Sequence, residues 1–93
     1  MEEQWEDLQP KYDNRKSFYG KAETTVLKSG LRVLKSYSTI VAFILPNGKL
    51  LLNGLYSMTT ERHIHDFALQ FSKDYKGGSL DDYVLGKAVN LYV

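Results

Sequence analysis

Pro46-Asn47-Gly48 is the stretch that most limits what this chain folds into. Asn-Gly accepts the positive φ that a tight type I′ turn demands, so the segments on either side are expected to pair antiparallel. Ile40 to Leu45, before the turn, is apolar on both faces, as a central strand covered from both sides is. Lys49 to Tyr56 pairs back, with Gly54 read as a bulge or close-approach site. Upstream, Phe18, Gly20, Ala22, Thr24 and Val26 alternate with Tyr19, Lys21, Glu23, Thr25 and Leu27, which is the period of a half-buried strand. Lys28-Ser29-Gly30 turns the chain, and Leu31 to Tyr37 returns.

Past Tyr56 the period changes. Ile64, Phe67, Ala68, Phe71 and Tyr75 fall at helical spacing and form one apolar stripe, with Thr59 or Thr60 as cap and Glu61 at the positive end of the dipole. Lys76-Gly77-Gly78 is expected to end this helix. Ser79 with Asp82 predicts a short helix through Leu85, and Ala88 to Val93 alternates like a last strand. The expected fold is α+β: a four-stranded antiparallel meander from about Ser17 to Tyr56, packed by one helix from about Glu61 to Tyr75 and closed by a short C-terminal helix or strand. Residues 1–16 are polar, broken at Pro10 and Asp13-Asn14, and read as a flexible acidic arm beside a single domain over 17–93. Trp5 is the arm's only large apolar anchor.

Composition narrows the function classes. A chain of 93 residues holds one core, and the absence of cysteine removes disulfides, thiolate nucleophiles and zinc–thiolate sites together. No apolar run approaches the ~20 residues of a membrane span, and the acidic start is unlike a secretory signal, so a cytoplasmic location is expected. The net charge of +1 is unevenly spread. Met1 to Pro10 sums to −4, Lys11 to Lys35 to +5, and the remainder to zero.

His63-Ile64-His65 invites a metal or a catalytic base. On a helix, residues two apart lie about 200° around the axis, so the two imidazoles diverge and cannot share an ion. Ser57, Thr59 and Thr60 near His63 and Asp66 resemble triad components, yet hydroxyls at a helix start are explained by capping. Asp81-Asp82 has no third ligand in view, and Gly77-Gly78 lacks the spacing of a phosphate loop. No catalytic, metal or cofactor site is therefore expected. Arg15, Lys16, Lys21, Lys28, Arg32 and Lys35, interleaved with Tyr12, Tyr19 and Tyr37, form the alternative: a small nucleic-acid-binding module built on the basic first hairpin. Near-neutral total charge favours edge protection over that reading. Leu69, among Arg62, Asp66 and Lys73 on the expected outer face, marks the edge of a partner-binding patch. The residues expected at a partner contact are Lys21, Arg32, Lys35, Tyr19, Tyr37, Arg62, Leu69 and Lys73.

Three stretches carry a resemblance: Arg15 to Ala22, Ser36 to Ala42, and Tyr56-Ser57 with Thr59-Thr60 and Arg62-His63-Ile64. Together they are similar to a family of small accessory proteins from phages and plasmids of Gram-positive bacteria. Its members read RKSFYGKA, then SYxTxVA, then an Asn-Gly-type turn, then YSxTTxRHIxxFLxQ. The likeness spans about residues 15–70, with Ala68 where the pattern usually has leucine. It carries no enzymatic activity over. It implies a mobile-element protein that binds and blocks a bacterial defence protein, as anti-CRISPR proteins do, with the Cas9 effector nuclease the leading expected partner. A DNA mimic would need a strongly acidic surface, which a net charge of +1 does not supply.

Overall fold

A computed structural model of the chain describes residues 4–12, 21–54 and 57–84. Strands β1 (Glu6–Asp7), β2 (Ala22–Val26), β3 (Arg32–Ser36), β4 (Thr39–Ile44) and β5 (Leu50–Leu52) form one antiparallel sheet in the order 1-2-3-4-5. Helix α1 (Met58–Phe71) packs on one face, and a single 3-10 turn covers Asp81–Tyr83. The α+β class stands, and the expected four strands become five. The fifth comes from the segment read as an arm, which is laid on the sheet from Gln4 onward. Glu6 and Asp7 pair with Thr24 and Glu23, the Leu8 amide donates to the Ala22 carbonyl at 2.8 Å, and the Thr25 hydroxyl donates to the Gln4 carbonyl at 2.8 Å. Trp5 and Leu8 hold it by packing against opposite faces of the sheet. The boundary expected at residue 16/17 and the last strand expected over 88–93 lie outside the described residues.

Alternation sorts the strands into two faces. Ala22, Leu34, Ala42, Ile44, Leu50 and Leu52 meet Ile64, Phe67 and Ala68 of α1, with Leu8, Tyr75 and Leu80 completing that core. Leu31, Val33 and Phe43 bury on the other face among Trp5, Leu27, Ile40, Leu45 and Leu51. A bulge breaks the β3–β4 ladder between Leu34 and Lys35, leaving Val41 without a partner across the ladder. It falls there rather than at Gly54, which lies beyond the end of β5.

Among the described residues, two of the three hairpin turns use glycine. Leu27–Leu31 and Leu45–Lys49 close alike, each with a glycine amide bonded back to the carbonyl three residues earlier. Gly30 takes φ +91° and Gly48 φ +93°. Asn47 does not take positive φ, so the expected type I′ turn at Asn47-Gly48 is instead a type I turn followed by a left-handed glycine. The two-residue turn lies one hairpin earlier. There Ser36 pairs with Thr39 and the loop is Tyr37-Ser38, at φ 57° and 103°.

Helix α1 starts and stops earlier than its stripe implies. Ser57, extended at φ −62° and ψ 164°, is the cap, and its hydroxyl accepts from the Thr60 amide at 3.4 Å. After Phe71 the chain is pulled onto the β4–β5 end. The Lys73 amide donates to the Gly48 carbonyl at 2.8 Å, and Asp74 Oδ1 accepts from the Leu50 amide at 3.0 Å. Tyr75 therefore stays in the core although it lies beyond the helix.

Candidate functional site

The two histidines report first on what the helix can do. His63 is fully buried, and its Nδ1 lies 2.8 Å from Ser36 Oγ. Ser36 Oγ is also 3.1 Å from Thr60 Oγ1, which Ser57 Oγ approaches at 3.4 Å. A chain of hydroxyls thus runs from the helix cap to the imidazole and ties the end of β3 to the start of α1. His65 turns the other way, with Nδ1 on the Tyr75 hydroxyl, which in turn donates to the Gly78 carbonyl at 2.7 Å. Among the described residues, no group of three or more His, Asp or Glu is placed to hold a metal ion.

A serine oxygen on a histidine nitrogen is the opening geometry of a nucleophile and its base. Access decides against that use. Ser36 is 2% exposed and His63 0%, so a substrate atom has no path to Oγ without opening the helix–sheet interface. Burial also explains why the node exists, since a hydroxyl or imidazole taken out of water needs a hydrogen-bond partner. Thr60, His63, Ile64 and Phe67 share one helical stripe, so the inward aim of His63 was readable from spacing. Ser36, 27 residues away, carried no such signal.

What the node supports is exposed. Tyr37 follows Ser36 directly, stands 51% exposed, and lies with its ring centroid 5.7 Å from that of His63. The Lys21 Nζ is 5.9 Å from the same ring, and the Tyr37 amide donates to the Lys21 carbonyl at 2.9 Å. Met58, the first residue of α1, is 73% exposed. All three stretches that carry the family resemblance meet here: Lys21 from the first, Ser36 and Tyr37 from the second, Ser57, Thr60 and His63 from the third.

The other expected contact residues are dispersed. Arg32 and Lys35, three apart on β3, face opposite sides of the sheet. The Arg32 guanidinium stacks 3.9 Å from the Phe71 ring centroid and donates to Thr24 Oγ1 at 3.4 Å. Its pKa is lowered by burial, with Glu6 acting in the raising direction. Lys35 lies 4.3 Å from the Trp5 ring centroid and 3.5 Å from Glu23 Oε1. Arg32 and Lys35 therefore do not share one surface. Lys73 is laid over the Gly48 turn. Arg62 and Leu69 line a shallow groove of about 180 Å³ with Tyr12, His65 and Asp66. Tyr19 lies outside the described residues.

Asp66 is not on the outer face, as expected, but buried. Its carboxylate accepts from the amides of Lys11 and Tyr12 at 3.0 and 2.9 Å and from the Gln70 side chain at 2.6 Å, and Gln70 also donates to the Gln9 carbonyl at 2.7 Å. The N-terminal segment is thus clamped to the flank of α1.

No curated protein and no solved structure matches the chain. A family model matches residues 7–84, the span that holds strands β2 to β5, the helix and the node, and the chain belongs to that family, the family of unknown function DUF8033.

Proposed function

We propose that this is a non-enzymatic accessory protein of a phage or other mobile element that binds and inhibits a bacterial defence protein in the host cytoplasm. The observation that carries the reading is the contrast at the node. Its reactive groups, Ser36 and His63, are closed to solvent, while Tyr37 is held out from the surface. A site built this way presents a contact and withholds a reaction. The origin in a mobile element, and a Cas9-type effector nuclease as the leading partner, rest on the resemblance of residues 15–70.

The test is retention of a host protein from bacterial lysate by the tagged chain, identified by mass spectrometry, together with cleavage by purified guide-loaded Cas9-type nuclease in its presence. Retention of a defence protein with loss of its activity supports the reading. Recovery of nucleic acid with no protein overturns it.

A further inference from the structure

We infer that the Tyr37-Ser38 turn is a preformed anchor that enters an apolar pocket with a carboxylate at its rim on a protein partner. The inference rests on the proposed function and deepens it by naming the contact and the chemistry opposite. Backbone conformation comes first. Tyr37 and Ser38 are the only non-glycine residues at positive φ among those described, and they are consecutive. Strain of this kind persists only where surrounding contacts over-determine it, and it concentrates where a conformation is used. Here the contacts are the Ser36–His63–Thr60 node beneath, the Tyr37 amide on the Lys21 carbonyl, and the ring on His63.

Folding alone does not require this side chain. Asn-Gly meets such a turn without strain, and half of the tyrosine surface is in water. A rigid tyrosine gives large contact area for little lost rotamer freedom, which is why it recurs at binding hot spots. Lys21, exposed beside the ring, forms no ion pair among the described residues, so the complementary charge at the rim is a carboxylate. A nucleic-acid strand fits less well, because it is held by successive stacking rings along a basic track, and Arg32 and Lys35 are turned elsewhere.

The probe is the host protein retained by the wild-type chain in the lysate experiment, purified, with guide-loaded Cas9-type nuclease run alongside. Binding is titrated against wild type, Tyr37→Phe, Lys21→Glu and the double variant Tyr37→Asn/Ser38→Gly, with melting curves confirming that each is folded. The Asn-Gly chain is expected to fold and to lose about thirtyfold or more in affinity. Lys21→Glu is expected to lose about tenfold, and Tyr37→Phe to stay near wild type. If the Asn-Gly chain binds as wild type does, this inference falls while the proposed function stands. If wild type retains only nucleic acid, or nothing, both fall.

Discussion

The β3–β4 and β4–β5 turns differ in where their conformation comes from. Gly48 takes φ +93° at no steric cost, and the turn around it is closed by its own short-range hydrogen bonds, to which the Lys73 amide on the Gly48 carbonyl is added from beyond the helix. Tyr37 and Ser38 take φ 57° and 103° with side chains that resist it, and the holding contacts come from the Lys21 carbonyl and from a helix starting twenty residues later. A turn whose local sequence agrees with its shape needs nothing further. One that disagrees needs tertiary support, and here that support ends in an exposed aromatic ring. Local and global preferences conflict at Tyr37-Ser38, and positive φ at two consecutive non-glycine residues is the backbone observation behind the proposed anchor.

The comparison breaks most visibly at its support. His63→Ala empties a fully buried site and leaves the Ser36 hydroxyl with Thr60 Oγ1 alone, so it is expected to destabilise the chain by about 2–4 kcal/mol. Denaturant midpoints measure the loss, and amide exchange at Tyr37 is expected to rise with it. Asn47→Ala removes one exposed bond to the Lys49 amide and is expected to cost about 0.5–1 kcal/mol. Near-equal losses for the two would erase the distinction.

A control outside both turns comes next in size. Asp66→Ala leaves the amides of Lys11 and Tyr12 without their acceptor and is expected to cost about 1–3 kcal/mol. Trp5, the sole tryptophan, reports the N-terminal segment directly, so its fluorescence is expected to shift red in Asp66→Ala and stay put in His63→Ala. A red shift in both would mean that the segment and the node are one unit.

Glycine dependence sharpens the contrast further. A Cβ at Gly48 meets the Lys73 side chain at 2.5 Å and sits at a φ hostile to alanine, so Gly48→Ala is expected to cost about 1–2 kcal/mol. Ser38→Ala already has a Cβ in place and is expected to change thermal stability by less than about 0.5 kcal/mol.

Tyr75, buried beyond the helix end, adds a smaller, pH-dependent effect. Burial, and then the neighbouring Tyr83, raise the Tyr75 hydroxyl above its ordinary value of 10.0. Below pH 10.0 both folded and unfolded chains keep the proton, and the contribution is intact. As pH rises past that value the unfolded chain loses its proton first, so stability falls until the folded hydroxyl also ionises. Tyr75→Phe is expected to reduce this alkaline slope, read by urea titration at a series of pH values. An unchanged slope would remove Tyr75 as its source.

What the sequence disclosed followed from how local each signal was. The apolar run over Ile40–Leu45 and the stripe at Ile64, Phe67, Ala68 and Phe71 record burial residue by residue, so the strand and the helix were readable. So was the divergence of His63 and His65, which needs only the helical angle. Helix ends were not, because Ser57 caps where Thr60 is already committed to Ser36, and the stop is set by Lys73 and Asp74 reaching β4–β5. β1 escaped notice because two exposed acidic residues have no period, and its evidence is the Trp5–Leu8 pair bracketing them. Odd and even numbering on β3 places Arg32 and Lys35 on opposite faces, a separation that a charge count along the hairpin does not show. Tyr37-Ser38 was hidden for a different reason: turn rules point to glycine and asparagine, and this turn has neither.

Chemical denaturation of Tyr37→Asn/Ser38→Gly beside wild type tests the central claim most directly. Replacing two strained residues by a pair suited to positive φ is expected to raise stability by about 1 kcal/mol, despite the loss of the ring contact with His63. A chain less stable than wild type would show that Tyr37 serves the fold and is not held in place by it.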